Sequence, residues 1–133
     1  MADVVVIDDD DQLRTMMRQM LERVGHTVRE AADGVVGLDA VRQSHCDLVV
    51  TNIFMPGCDG LDVLRVLRRD APTLPVLAVS GGGQVLSGKL HIADFLEVAK
   101  RFGAAAVLHK PFEWEEFMKA AGTLLNNAHR PRH

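Results

Sequence analysis

Short apolar runs alternate along the chain with longer stretches in which apolar residues recur every three or four positions. Val4-Val5-Val6-Ile7 is β-branched and too short for a helix, so it reads as a buried strand. Leu13, Met16, Met17, Met20, Leu21 and Val24 follow at helical spacing, with Gly25 placed as a C-terminal cap. Thr27 to Glu30 reads as a second strand, Asp33-Gly34 as a turn, and Val35 to Ser44 as a second helix. Leu48-Val49-Val50-Thr51 is a third strand running into Asn52, and Leu61 to Arg69 a third helix. Pro75 introduces a fourth strand, Val76 to Ser80, followed by a glycine-rich stretch and a helix from His91 to Phe102 that stops at Gly103. Ala104 to Leu108 is the fifth strand, and Trp114, Phe117, Met118, Ala121 and Leu125 mark one face of a last helix.

Five strand–helix alternations predict parallel strands joined by crossover helices. With right-handed crossovers, the result is a doubly wound α/β domain: a five-stranded parallel sheet with helices on both faces. That domain spans residues 1–126, and residues 127–133, ending Arg130-Pro131-Arg132-His133, read as a disordered tail. Ligands of such sheets sit at the carboxyl ends of the strands, near the topological switch point, so those ends are where chemistry is expected.

Composition narrows the picture. A chain of 133 residues, 47% apolar and 25% charged, fits one globular domain with a sizeable core. The net charge of −3 supplies no basic footprint for nucleic acid or an anionic membrane. The opening Met1-Ala2-Asp3 and the short apolar run after it do not make a signal peptide, and no run is long enough to span a bilayer. Two cysteines, Cys46 and Cys58, are too few for a disulfide framework, which points to a cytoplasmic protein with reduced thiols.

Four strand ends carry polar groups: Asp8-Asp9-Asp10-Asp11 after the first, Asn52 after the third, Ser80 after the fourth and Lys110-Pro111-Phe112 after the fifth. Each alone has a plain reading. An acidic run caps a helix N-terminus, which suits Asp10 and Asp11; a serine after a strand is a turn residue; a lysine before proline lies on the surface. Together they outline a site. Crowded carboxylates with oxygen donors suit Mg²⁺, which is held by one or two carboxylates and phosphate oxygens. A hydroxyl and an ammonium could hold the non-bridging oxygens of a phosphoryl group.

The segments Val4 to Asp10, Asp47 to Gly60, Pro75 to Ser80 and Leu108 to Phe112 resemble the response-regulator receiver family of two-component signalling, whose fold is flavodoxin-like, (βα)5. The likeness covers the chain from about Asp3 to Leu125. It implies that Asp8 and Asp9 bind Mg²⁺, with the backbone carbonyl of Phe54 as a further ligand. It implies that the residue at 52 is the phosphoacceptor, that Ser80 and Lys110 contact the phosphoryl group, and that Lys110–Pro111 is cis. The partners implied are a sensor histidine kinase or phosphotransfer protein upstream and a downstream protein; the domain itself is not an enzyme.

Three positions depart from the family pattern. Asn52 replaces the accepting aspartate; an amide forms no acyl phosphate and brings no charge to a metal, although its carbonyl could still coordinate one. Either Asn52 is a substitution made to block phosphorylation in an otherwise complete site, or the chain is naturally a phosphorylation-independent pseudo-receiver that acts as a protein-binding module. The presence of the other site residues favours the first. Gly81 to Leu90 lengthens the connection from Ser80 to Lys110, and Val107 stands where many receivers have an aromatic switch residue.

Other readings are weaker. Gly83 to Lys89 fits seven positions of a phosphate-binding loop, but Leu90 lacks the hydroxyl that such a loop offers to Mg²⁺. A flavodoxin-like cofactor site would set an anion against four aspartates. The six histidines show no metal-ligand spacing, the methionines of the first helix read as core filler, and Cys58 has no cationic neighbour in sequence to activate it.

Overall fold

The computed structural model describes residues 1–53, 60–80 and 92–128, and their side chains except at 92–96 and 128. Phe54, Cys58, Gly81 to Leu90, His91 and residues 129–133 lie outside the described residues. Three strands are buried along their whole length or nearly so: β1 (Asp3–Ile7), β3 (Leu48–Asn52) and β4 (Val76–Ser80). Successive residues of each alternate between two cores. Val4, Val6, Leu48, Val50, Leu77 and Val79 pack with Met17, Leu21, Phe117 and Leu125. Val5, Ile7, Val49, Val76 and Ala78 pack with Leu38, Val63, Leu64, Leu67 and Ala99. Unbroken apolar strands are what a sheet with both faces covered requires.

The covering helices are α1 (Asp11–Arg23) and α5 (Trp114–Ala128) on the first core. On the second lie α2 (Gly34–Gln43), α3 (Gly60–Asp70) and α4 (Ile92–Arg101). Two outer strands, β2 (Thr27–Ala31) and β5 (Ala106–His109), complete the sheet. Its order is β2-β1-β3-β4-β5, and every pairing is parallel. The chain thus winds outward from β1 in both directions, and the switch point falls between β1 and β3.

Local chemistry sets the boundaries. Asp10 and Asp33 are N-caps whose side chains accept from Leu13 N (3.1 Å) and Val36 N (2.9 Å). Gly25 and Gly103, with φ of 95° and 108°, end α1 and α4 in the left-handed region that glycine tolerates. Two expected boundaries move by two residues, where several others move by one. The fifth strand begins at Ala106, not Ala104, because the Ala104 N–H is used to close α4 on Ala99 O (3.0 Å). Helix α5 runs to Ala128, so residues 127 and 128, expected in the tail, are helical; buried Leu124 and Leu125 anchor this last stretch. Among the described residues, no helix is long and apolar enough to cross a membrane.

Helix α3 starts hard against the end of β3. The Gly60 N–H donates to Ile53 O (2.8 Å), and a Cβ on Gly60 would overlap the Asn52 carbonyl and the Ile53 Cα. Both obstructions are backbone and cannot swing aside. Gly60→Ala should therefore destabilise the fold by about 1–3 kcal/mol, the usual cost of overpacking, as chemical denaturation would show. Unchanged stability would mean that α3 can retreat from the strand without loss.

Candidate functional site

The register of β1 against β3 carries Asp8 and Asn52 to the same edge of the sheet. Asp8 follows β1 directly, and its N–H still donates to Ala31 O of β2 (3.1 Å). Its carboxylate has no solvent exposure. Oδ1 accepts from the Asp10 N–H (2.9 Å) and from Asn52 Nδ2 (3.3 Å), while Oδ2 faces Lys110 Nζ at 3.5 Å. Asp9 is exposed, and its Oδ1 lies 3.4 Å from the same Asn52 nitrogen.

Asn52 is 4% exposed and Ser80 is fully buried at the adjoining strand end. The Lys110 N–H donates to Ser80 O (3.0 Å), tying the end of β5 to β4, and the Lys110–Pro111 bond is cis, as the resemblance implied. Beyond it, Phe112, Trp114 and Phe117 form an aromatic cluster with ring centroids 5.6–5.8 Å apart, which fixes the start of α5.

The structure therefore brings Asp8, Asp9, Asn52 and Lys110 together through direct contacts, and sets Ser80 at the neighbouring strand end. Phe54, the expected backbone ligand, lies outside the described residues. Asp10 and Asp11 take the plain reading: Asp10 caps α1, and Asp11 pairs with Arg14 at 2.8 Å. The orientation of Asn52 differs from what coordination through its carbonyl needs. Its nitrogen, not its oxygen, is directed at the carboxylates, because an amide oxygen there would face two anions.

Arg14 is a contributor that sequence reasoning missed. Its guanidinium donates to Asp8 O (2.7 Å) and to Glu30 Oε1 (3.0 Å), clamping the acidic turn between α1 and β2. The pairing with Asp11 at i,i+3 is visible in sequence, but the contacts to Asp8 and Glu30 depend on the packing of α1 beside β2.

A second cluster lies at the opposite edge of the sheet. Ligand atoms of Asp3, His45 and Asp47 fall within 4.8 Å of one another, though the histidine spacing gave no hint of it. Asp47 already serves the fold there: its carboxylate accepts from Asp3 N (2.8 Å) and contacts His45 Nε2 (2.7 Å), joining the starts of β1 and β3.

The model of the response regulator receiver domain matches residues 4–122. The chain belongs to the response regulator receiver family. Among relatives of this receiver, the response regulator MprA of Mycobacterium sp. (strain KMS) is 35% identical over 122 residues, covering 92% of this chain and 50% of the relative. MprA of Mycobacterium avium (strain 104) is 34% identical with the same coverage. The chain thus spans half the length of these relatives. The receiver domain of NtrX from Brucella abortus superposes with a TM-score of 0.81 at 29% identity, covering 93% of this chain and 98% of that one. A response regulator receiver domain protein from Clostridium thermocellum gives 0.83 at 26% identity, covering 96% of each. The parallel five-stranded sheet and its helices are the fold of these domains.

Burial raises the pKa of Asp8 above its ordinary value; the Asp10 N–H, the Lys110 ammonium and the Asn52 amide pull it back in that order, and Asp9 adds to the rise. With the folded-state pKa above the unfolded one, the protonated form is the one the fold favours. That contribution is fully present below the ordinary value of 3.8 and is lost as pH rises through the folded-state pKa. Asp8→Asn should accordingly melt higher than the parent at pH 7, because the amide removes a buried charge that the fold disfavours. The gap should narrow as pH falls towards 4. Thermal melts across pH check this, and a variant less stable than the parent at pH 7 would show that the Lys110 contact outweighs burial.

Proposed function

We propose that this receiver domain stands in two-component signalling with Asn52 at the phosphoacceptor position, and that the chain is thereby held unphosphorylated. The observation that carries the reading is the placement of Asn52: buried at the end of β3, in contact with both Asp8 and Asp9, with Lys110 reaching Asp8 from β5. An acyl phosphate requires a carboxylate oxygen to attack phosphorus while the phosphohistidine nitrogen of the donor leaves. The lone pair of the Asn52 nitrogen is delocalised into its carbonyl, and its N–H groups are turned to the acids, so no nucleophile faces an incoming phosphoryl group.

The remaining residues keep receiver roles in this reading. Lys110 offers a point charge and Ser80 a hydroxyl to phosphoryl oxygens. Asp8 and Asp9, with the Phe54 carbonyl, would hold Mg²⁺ in an aspartate form, where the cation neutralises charge on the phosphoryl oxygens. In the present chain the donor set does not match that cation, since an amide nitrogen is directed at both carboxylates. The module passes a signal by binding and turns over no substrate of its own. Its partners are a sensor histidine kinase or phosphotransfer protein and a downstream protein, in the cytoplasm, with neither nucleic acid nor membrane among them.

Intact mass after incubation with Mg²⁺ and a small phosphodonor tests this. The parent chain should gain nothing, and Asn52→Asp should gain one hydrolysable phosphoryl group on the peptide carrying residue 52. Phosphorylation of the parent at that peptide would overturn the block. If neither form is phosphorylated, the chain is a pseudo-receiver that signals by binding alone.

A further inference from the structure

Two carboxylates that share one site repel each other unless a cation or donors stand between them. Here Asn52 Nδ2 stands 3.3 Å from Asp8 Oδ1 and 3.4 Å from Asp9 Oδ1, and an amide carries two N–H groups, one for each. The other oxygen of Asp8 faces Lys110 Nζ at 3.5 Å, and the Asp10 N–H reaches Oδ1 at 2.9 Å. Arg14 fixes the turn from behind through the Asp8 carbonyl. The acidic pair is thus supplied with donors from three separate parts of this chain: the Asp10 N–H, the Asn52 amide and the Lys110 ammonium.

We propose that the Asn52 amide substitutes for the divalent cation: it bridges Asp8 and Asp9 and completes the site in a metal-independent form. The idea rests on the receiver reading only in taking the acidic pair as the place where a cation would sit. A cation entering the present chain must first break both amide contacts and turn the oxygen of Asn52 inward, so Mg²⁺ binds weakly and adds little stability. An aspartate at 52 would bring a third carboxylate and no donors, making the same pocket dependent on a cation.

A missing carboxylate would also weaken Mg²⁺ binding, and Asn52→Ala separates the two causes. Alanine is as uncharged as asparagine but leaves the acids unbridged. Thermal melts of the parent, Asn52→Ala and Asn52→Asp in EDTA and in saturating Mg²⁺ give the comparison. The parent should shift by about 1 °C or less, and both variants by about 5 °C or more. Titration calorimetry should show Asn52→Ala binding Mg²⁺ roughly 10-fold more tightly than the parent. An alanine variant that responds to Mg²⁺ no more than the parent overturns the proposal, as does a parent that responds as strongly as the aspartate form.

A second readout follows the amide itself. The side-chain NH₂ resonances of Asn52, assigned by their loss in Asn52→Asp, should be protected from exchange and should stay in place at Mg²⁺ concentrations that saturate Asn52→Ala. Movement that saturates at the Mg²⁺ concentrations that saturate Asn52→Ala overturns the proposal. Neither measurement reads phosphoryl transfer, so an aspartate form that fails to take phosphate would sink the receiver mechanism and leave this inference standing or falling on its own data.

Discussion

A carboxylate with no exposure to water sits at the switch point of an all-parallel sheet, and the surrounding architecture answers to it. Left alone, an ionised Asp8 would be costly to bury. The compensation comes from separate parts of the chain: a backbone N–H two residues on, an amide from β3 and an ammonium from beyond β5. Those donors reach it only if β1 lies between β2 and β3 and the β4–β5 register ends where it does, with Lys110 N–H on Ser80 O. Fold and site are in that sense one constraint. Gly60 shows how tight it is, since α3 must begin where only a hydrogen fits beside the Asn52 carbonyl.

The architecture was legible because the central strands are apolar without interruption and the helices carry their apolar residues at helical spacing. Val76 to Ser80 comes out with the bounds read from the sequence, and the run Val4 to Ile7 gains only Asp3 at its start. The strand-end residues were legible too, since parallel topology forces Asp8, Asn52 and Ser80 to one edge. The start of β5 was not, because Ala104 and Ala105 look like strand residues while the Ala104 N–H is taken by the end of α4. Helix length at the carboxyl end was likewise underread. Asn126-Asn127-Ala128 has no strong apolar signal, and the helix there is held by Leu124 and Leu125 packing on the sheet.

Long-range polar contacts were the least legible part. That Arg14 would pair with Asp11 follows from spacing, but that the same guanidinium would hold the Asp8 carbonyl and Glu30 requires knowing that α1 packs beside β2. The same holds for Asp47, whose carboxylate caps the first N–H of β1 across 44 positions of sequence. Side-chain to backbone contacts of this kind leave no periodic trace.

Asn52 shows why shape and charge must be separated when a site is read. Asparagine and aspartate occupy nearly the same volume, so β3, Gly60 and the strands on either side accept one as readily as the other. Electrostatically they are opposites in this pocket: one brings a third negative charge to Asp8 and Asp9, and the other brings two N–H donors. To a metal the amide would offer its carbonyl oxygen without a charge. In the structure the amide nitrogen is the atom that contacts Asp8 and Asp9, the orientation that two acids favour in a dipole placed beside them. On the reading proposed above, a residue that removes the nucleophile would also remove the need that a cation would otherwise meet, within a scaffold that is left unchanged.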